Sequence, residues 1–323
     1  MVLGGGLAGV LAAQTAASMG RAVTVLDDGH RRASDAPCAL VHPFVGGSFR
    51  PRANVAEAWA ASVAWFSRFE AHVRRSVVRR HIPWTDAGAR LLRSWPHVEA
   101  LAHTLFPHVV APTAARAVEY GPVFAVDLQA LLIDARADLE RAGVTLQTGR
   151  ALELERTRAR WRIQLEGGAS VDAATVVVAA GAGARTLLRP HGDVEPLGVA
   201  EGSLAWAPGT MPGPFLIHGG HASAAPTRRA WGATYRMLEG DARDPTEAMR
   251  ALDARLRAVG ADLPPLSQAR VWTASRLVDR RTRTPWVRAL GPNLIAFCGF
   301  GSQGCLWGPW SATRLADVLA TAS

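Results

Sequence analysis

The sequence predicts an α/β fold made of discontinuous parts. Three observations predict it. The chain opens on strand, glycine-rich turn, helix, strand and acid between Val2 and Asp27. A helix in the middle of the chain leads into a meander of short β runs. The last part reads as a strand, a second glycine-rich turn and a helix. A strand–helix–strand unit makes a parallel pair, and a meander covers such a sheet with antiparallel strands.

The elements follow in order. Met1 to Leu3 reads as the end of a strand, and Leu7 to Met19 as a helix of small residues closed by Gly20. "AVTVL", Ala22 to Leu26, is a buried strand ending at Asp27. Residues 33–52 are turn-rich and read as a long functional loop. A helix is expected from Val55 to Arg75, with Val55, Trp59, Val63, Phe66 and Phe69 along one side. Ile82 to Tyr120, punctuated by Pro83, Pro96, Pro107 and Pro112, is expected to be irregular. "VDLQALLIDARADLERAG" is a helix with Asp127 at its N-cap and Gly143 just past its end. "VTLQT", "ALELER", "RWRIQLE" and "SVDAATVVVAAG" are four β runs, the last a single buried strand entering "AGAGA", Ala180 to Ala184. Residues 196–285 are strand-rich, with a helix near Pro245 to Val259. "NLIAFCGF" is a strand, and Gly308 to Ala320 a terminal helix. The expected organisation is a Rossmann-like nucleotide domain over 1–50, 122–195 and 286–323. An α+β substrate domain on a mixed sheet interrupts it at 51–121 and 196–285.

Composition narrows the chemistry. The 323 residues include 36 basic side chains, all arginine, against 27 acidic ones, a net charge of +9. With no lysine, Schiff-base chemistry on pyridoxal phosphate, lysine aldol chemistry, P-loop phosphate binding and kinase chemistry are excluded. Three cysteines without a C-x-x-C point to a cytoplasmic protein without disulfides. No apolar run reaches the ~18 residues that a membrane span needs, and the opening carries no basic leader. The basic balance permits an acidic partner such as tRNA. "RRSVVRRH", Arg74 to His81, is the densest cluster and reads equally as a solvated helix end.

Two stretches share the spacing G-x-G-x-x-G: Gly4 to Gly9 and Gly299 to Gly304. In the first, Gly4, Gly5 and Gly6 give a tight turn and a close backbone approach to a pyrophosphate. Leu7 and Ala8 start a helix whose free N–H groups face it, and Gly9 packs helix on strand. Asp27, eighteen residues beyond Gly9, and Asp28 stand where an acid binds the adenosine ribose. The second turn has no room after it for another helix, strand and acid. Its Gly301, Ser302, Gln303, Gly304 and Cys305 read as a grip on the far end of the same dinucleotide. A helix start there stabilises the negative charge of a reduced flavin ring and gives nicotinamide nothing comparable, which points to FAD over NAD.

These residues resemble the D-amino-acid oxidase/glycine oxidase superfamily of FAD-dependent oxidoreductases. The likeness is strongest to the FAD-dependent domain of the bifunctional tRNA 5-methylaminomethyl-2-thiouridine biosynthesis proteins. "VLGGGLAGVLAAQTAASMGRAVTVLD" is similar to the FAD fingerprint. "ASDAPCALVHP" resembles the loop beside the flavin, "WGATY" a substrate-domain strand, and "NLIAFCGFGSQGCLWGPWSATRLADVL" the closing unit. The resemblance implies a glutathione-reductase-like FAD domain with Ser34, Ala39, Leu40, Val41, Ala180 and Gly181 beside the cofactor. It implies oxidation of a C–N bond by hydride transfer to flavin N5, on a small amine or on a carboxymethylaminomethyl group of modified tRNA uridine. Asp35 and Ala36 replace the usual Gly-Asn, and Thr282 stands at a usual aspartate.

Such chemistry needs an anchor for a substrate carboxylate, and arginine provides two parallel hydrogen bonds. Arg276 and Arg281 are the candidates, Tyr235 a second donor, and His42 a contact to ring or substrate. Lacking lysine, the chain also lacks the residue that some superfamily oxidases hold over flavin N5 to activate oxygen. "HGGH", His218 to His221, has metal-like spacing but no supporting ligands, and no metal is expected. Two readings compete with the amine oxidoreductase. The closing glycine turn and the meander disfavour an NAD-linked dehydrogenase. The altered loop at Asp35 and Ala36 leaves room for an FAD-binding protein without turnover.

Overall fold

The computed structural model describes residues 1–30, 32–44, 52–112, 116–238 and 244–321. The opening unit is β1 (Val2–Leu3), α1 (Leu7–Ser18) and β2 (Thr24–Asp27). Gly20, at φ +74°, closes α1. Because α1 consists largely of small residues, it buries Gly9, Val10, Ala12, Ala13 and Ala16 and packs closely on its neighbours. After β3 (Ala39–Val41) and α2 (Val55–Phe66) comes β4 (Val73–His81). The expected helix to Arg75 therefore ends nine residues early. The valines of "VRRSVVRR" prefer an extended chain, and Val78 and Arg80 turn inward while Val77 and Arg79 turn out.

The stretch expected to be irregular holds α3 (Asp86–Ser94), α4 (Pro96–Leu105), β5 (His108–Val110) and the start of β6 (Ala117–Val126). Its prolines sit at element boundaries, Pro96 in the first turn of α4. In α5 (Leu128–Arg141) the Asp127 carboxylate accepts from Ala130 N at 3.1 Å. Then follow β7 (Thr145–Thr148), β8 (Ala151–Arg156), β9 (Trp161–Leu165), β10 (Ser170–Ala173) and β11 (Val176–Val178). The run expected as one strand is thus two. Its first half is the edge of the meander β10-β9-β8 and its second half enters the main sheet. The remaining elements are α6 (Ala184–Leu188), β12 (Leu197–Pro208), β13 (Phe215–Ile217), β14 (Gly220–Ala224), β15 (Arg228–Gly232), β16 (Arg236–Met237) and α7 (Pro245–Ala258). The chain closes with β17 (Arg270–Asp279), β18 (Trp286–Gly291), β19 (Leu294–Cys298) and α8 (Gly304–Thr321).

Two large sheets organise these elements. The first has the order β18-β19-β11-β1-β2-β7. All its pairs are parallel except β18 with β19. The second has ten strands, in the order β16-β12-β15-β14-β13-β4-β6-β3, with β17 on β12 and β5 on β6. It is mixed, β13 running parallel to β4 and β12 antiparallel to β15 and β17. Two details depart from the expected segmentation. β3 lies inside segment 1–50 and joins the ten-stranded sheet. β6 crosses residue 122 without a break and stays in that same sheet. Among the described residues no helix is long and apolar enough to cross a membrane.

Parallel order brings the two glycine turns together. β1 and β19 both flank β11, and all three run the same way. Their carboxyl ends therefore open on one edge of the sheet. The turn after Leu3, the Ala179–Gly181 stretch after β11 and the turn after Cys298 emerge side by side. A crevice at the carboxyl ends of strands, where chain order reverses about β1, is where an open α/β sheet binds its ligand.

Candidate active site

A cavity of about 1140 Å³ runs along that edge and continues beneath the ten-stranded sheet. Its size exceeds the roughly 300–1,000 Å³ of ordinary ligand pockets, as an elongated dinucleotide plus a substrate requires.

Backbone forms its floor at one end. Gly4 has φ +104°, and a Cβ there would lie 2.6 Å from Ala179 O; on Gly9 a Cβ would lie 1.8 Å from Gly4 O. Gly9 therefore lies under the turn rather than in the cavity lining, while Gly4, Gly5, Gly6, Leu7 and Ala8 line it. Over Gly6 a Cβ would meet Ser34 Oγ at 3.1 Å and the Arg32 side chain at 3.8 Å but no backbone, and Gly6 lines the cavity. Gly5 N donates to Asp27 Oδ1 at 3.1 Å and Leu7 N to Ser34 Oγ at 3.0 Å. Asp27, Asp28 and Ser34 all line this end.

Sequence reasoning missed two arginines here. Arg32 bridges Asp27 and Asp35, its Nε 3.3 Å from Asp27 Oδ1 and its Nη1 3.3 Å from Asp35 Oδ1. Arg136 donates to Gly5 O, with its Nε at 3.1 Å. Burial, then the charge of Arg32, lowers the pKa of Arg136. Asp35, read as a departure in the flavin loop, thus has a local task. It also accepts from Arg32 N at 2.9 Å and fixes the arginine that holds Asp27.

The middle of the cavity is lined by Ala39, Leu40, Ala180, Gly181 and the closing turn Gly301, Ser302, Gln303, Gly304 and Cys305. Gly299 and Gly301 take φ +78° and +56°, values that glycine adopts without strain. The first-turn N–H groups of α8 have no acceptor within the helix. Gln303 is held by its Oε1, which accepts from Trp307 Nε1 at 2.9 Å. Val41 differs from the expectation: it is 2% exposed, packs in the core and lies outside the lining.

The far end lies under the ten-stranded sheet. One cross-strand row there runs Trp272, Leu204, Gly232, His221, Leu216 across β17, β12, β15, β14 and β13. All but Gly232 line the cavity. Arg276, farther along β17, extends over Gly202, where a Cβ would sit 2.0 Å from its Nη2. Glycine at 202 is therefore what admits the guanidinium. Arg276 Nε and Nη2 are buried and have no hydrogen-bond partner among the described residues. Burial lowers the Arg276 pKa. Its guanidinium lies 5.8 Å from the centre of the Tyr235 ring, and Arg283 Nη1 donates to Tyr235 Oη at 2.7 Å.

Arg281 does not join them. It is exposed in the turn after β17, outside the cavity lining, and its backbone N donates to Asp279 Oδ1 at 2.8 Å. The turn that Asp279 ties down points this side chain away from the sheet face that Arg276 occupies. His42 lines the cavity beside a buried polar cluster: its Nδ1 lies 3.2 Å from Tyr120 Oη. Burial, then Arg80, then His221 press the His42 pKa down to about 3. Arg80, assigned by sequence to a basic surface, is 3% exposed and donates to Phe44 O at 2.7 Å. The period-2 alternation of β4 is the signal that distinguishes it from its exposed neighbours.

The lining fits FAD. A glycine cradle that a side chain would fill, an acid at the second strand's end and a helix start at the far turn lie along one channel. Comparison with known proteins agrees. Residues 1–318 match the family described as "DAO: FAD dependent oxidoreductase". The chain is 26% identical, over 98% of its length, to a tRNA 5-methylaminomethyl-2-thiouridine biosynthesis bifunctional protein of Caulobacter sp.. It spans about half the length of the curated relatives it matches. Its fold is that of glycine oxidase from Geobacillus kaustophilus, with TM-score 0.81, 17% identity and coverage of 99% of this chain and 94% of that one. It is also that of iminodiacetate oxidase from Chelativorans, with TM-score 0.76, 18% identity and coverage of 99% and 95%. Glycine cradle, paired turns and a match along nearly the whole chain converge: this chain belongs to the DAO family of FAD-dependent oxidoreductases.

Proposed function

We propose that the chain oxidises the C–N bond of an amine that carries a carboxylate, as in an N-substituted amino acid. The observation that carries this reading is Arg276, which lines the cavity and whose buried Nε and Nη2 have no hydrogen-bond partner among the described residues. An unpaired buried cation is costly, and a substrate carboxylate satisfies it. In this reading the six-stranded sheet with the meander is the FAD half, and the ten-stranded sheet is the substrate half.

Gly4–Ala8, Asp27, Ser34 and Gly301–Cys305 would hold the FAD. FAD held there would supply a hydride acceptor for the carbon beside nitrogen, and water would hydrolyse the oxidised substrate to an amine and a carbonyl compound. The protein's part is positional. Arg276 fixes the carboxylate, Trp272 and Leu204 wall the substrate, and Tyr235, between Arg276 and Arg283, covers the guanidinium. His42, neutral at physiological pH, adds no second cation to compete with Arg276 for the carboxylate.

Anaerobic bleaching of the bound flavin tests the reading. An N-alkyl amino acid is expected to bleach it with saturation, and the same amine without its carboxylate to require far higher concentrations. Arg276→Ala is expected to cost about 2–4 kcal/mol of substrate binding, and lysine, lacking the planar fork, to rescue it only partly. Unchanged saturation in Arg276→Ala would overturn the anchor.

The curated relatives favour a finer version, in which the amine is a carboxymethylaminomethyl group on a tRNA uridine. Exposed Arg75 and Arg79 on β4, and Trp84, 82% exposed with the Arg116 guanidinium 4.1 Å from its ring centre, offer charge and a stacking surface. Binding of tRNA should then weaken steeply with salt, and Arg75→Gln/Arg79→Gln/Trp84→Ala should flatten that dependence. Equal binding by wild type and variant would confine the substrate to small amines.

A further inference from the structure

Arg276 is the inner member of a series of cations that continues out of the cavity. Tyr235 lines the cavity yet is 36% exposed, so it stands where the cavity opens to solvent. Two guanidinium groups lie near its ring, Arg276 at 5.8 Å and Arg283 at 5.9 Å from the centre. Their central carbons are therefore no farther apart than those two distances laid end to end. Arg283 Nη1 also donates to Tyr235 Oη at 2.7 Å, and Arg52 Nη1 donates to Arg283 O. Arg283 is exposed, Arg52 is half-buried, and both lie outside the cavity lining.

Like charges gathered in this way repel one another, and no carboxylate offsets them. Among the described residues none of Arg52, Arg276 and Arg283 forms an ion pair. The nearby carboxylates serve elsewhere. Glu201 pairs with Arg236 at 2.7 Å and Glu195 with Arg280 at 3.0 Å. Asp279 accepts from Arg281 N, Thr282 N and Trp286 Nε1 at 2.8, 2.7 and 2.8 Å. Burial, then the charge of Arg283, lowers the Arg52 pKa. The turn that carries Arg283 is firmly built. Arg283 N donates to Asp279 O at 3.1 Å, and the Thr282 and Thr284 hydroxyls lie 2.7 Å apart. Arg283 itself takes φ +57°, a left-handed value that a side chain disfavours. A strained arginine is thus held with its charge against the ring at the opening.

We propose that Arg283, backed by Arg52, is a second anion subsite at the opening, so that the substrate is an amine with two anionic groups: a carboxylate on Arg276 and, past Tyr235, a second carboxylate or a phosphate on Arg283. This rests on the C–N oxidation reading above and adds a specificity element outside the cavity. The bond to Tyr235 uses one of the five N–H groups of Arg283, which leaves a fork for an anion. Planar guanidinium suits carboxylate and phosphate alike. A molecule no longer than about three extended residues spans the two arginines. The Tyr235 ring between them offers apolar surface to its connecting carbons.

The test uses FAD-loaded protein and three probes that differ only at the far end: N-carboxypentylglycine, its terminal amide and the matching terminal phosphonate. Anaerobic bleaching of the flavin gives the half-saturating concentration of each. Wild type is expected to favour the two charged ends over the amide about tenfold, as a charge-assisted contact implies. That preference should shrink with added salt, because the subsite is exposed. Arg283→Gln should bring the three probes within about twofold of one another. Arg52→Gln should remove part of the preference, and Arg283→Lys, which keeps the cation, should retain most of it. If Arg283 only holds Tyr235 in place, Arg283→Gln weakens all three probes alike. That result, or equal half-saturation by acid and amide in wild type, would overturn the proposal. Whichever charged end is favoured more, phosphonate or carboxylate, tells a nucleotide source from a small diacid. If no probe bleaches the flavin, binding is read from the perturbation of the oxidised flavin spectrum. A preference for the charged ends would then uphold the subsite and overturn the oxidation reading, and its absence would overturn both.

Discussion

At the scale of single residues, the site is defined by polar atoms buried without partners and by imidazoles kept neutral. His42 and His221 ordinarily titrate near 6.5, but in the folded protein their values fall to about 3 and about 4. The sign follows from linkage. The unfolded chain takes up two protons between pH 6.5 and 4 that the native protein refuses, so these groups favour folding fully above 6.5. That contribution is lost as pH falls through the folded values. Each histidine should steepen the loss of stability by up to about 1.4 kcal/mol per pH unit in that window. Urea unfolding of the FAD-loaded protein at pH 7 and pH 5, against His42→Asn/His221→Asn, checks this. The variant should lose less stability on acidification, and parallel losses would show that both rings take up protons in the native state. Arg276 was singled out because carboxylate chemistry asks for arginine, and the structure places it and Tyr235 in the cavity lining. His221 was visible only as spacing, since no single sequence shows which strand face points inward. Arg281 misled because proximity along the chain does not reveal a turn tied to Asp279.

At the scale of elements, the two glycine turns were the most legible feature, because each glycine has a steric reason. Those reasons differ, which makes a sharp expectation. Gly9→Ala places a methyl 1.8 Å from Gly4 O and must displace the backbone of the β1–α1 turn. Gly6→Val meets only the side chains of Ser34 and Arg32 at the Cβ and otherwise intrudes on the space a pyrophosphate needs. Thermal unfolding without FAD should therefore fall sharply for Gly9→Ala and little for Gly6→Val, while FAD affinity collapses in both. An apoprotein equally destabilised by both would mean that Gly6 also serves packing. The β4 strand was misread as a helix because α2 precedes it with helical periodicity and "RRSVVRR" carries no turn signal. The run at 170–178 was read as one strand because Ala174 and Thr175 break it without glycine or proline.

At the scale of the whole molecule, function follows from which ends meet. β1 and β19 lie far apart in sequence and flank β11 in space, so one chain presents two glycine turns to one cavity. That much was inferable from spacing. The division of the remaining strands was not, because long-range pairing such as β13 with β4 has no local signature. The ten-stranded sheet sets Arg276 and His221 against the same channel that the turns serve. Together these two halves are expected to make an amine-oxidising site. The most direct measurement is one anaerobic turnover with an N-carboxymethyl amine, following flavin absorbance and released glyoxylate together. One glyoxylate is expected for each flavin bleached. Bleaching by NADH with none by any such amine, or bleaching without a carbonyl product, would contradict it.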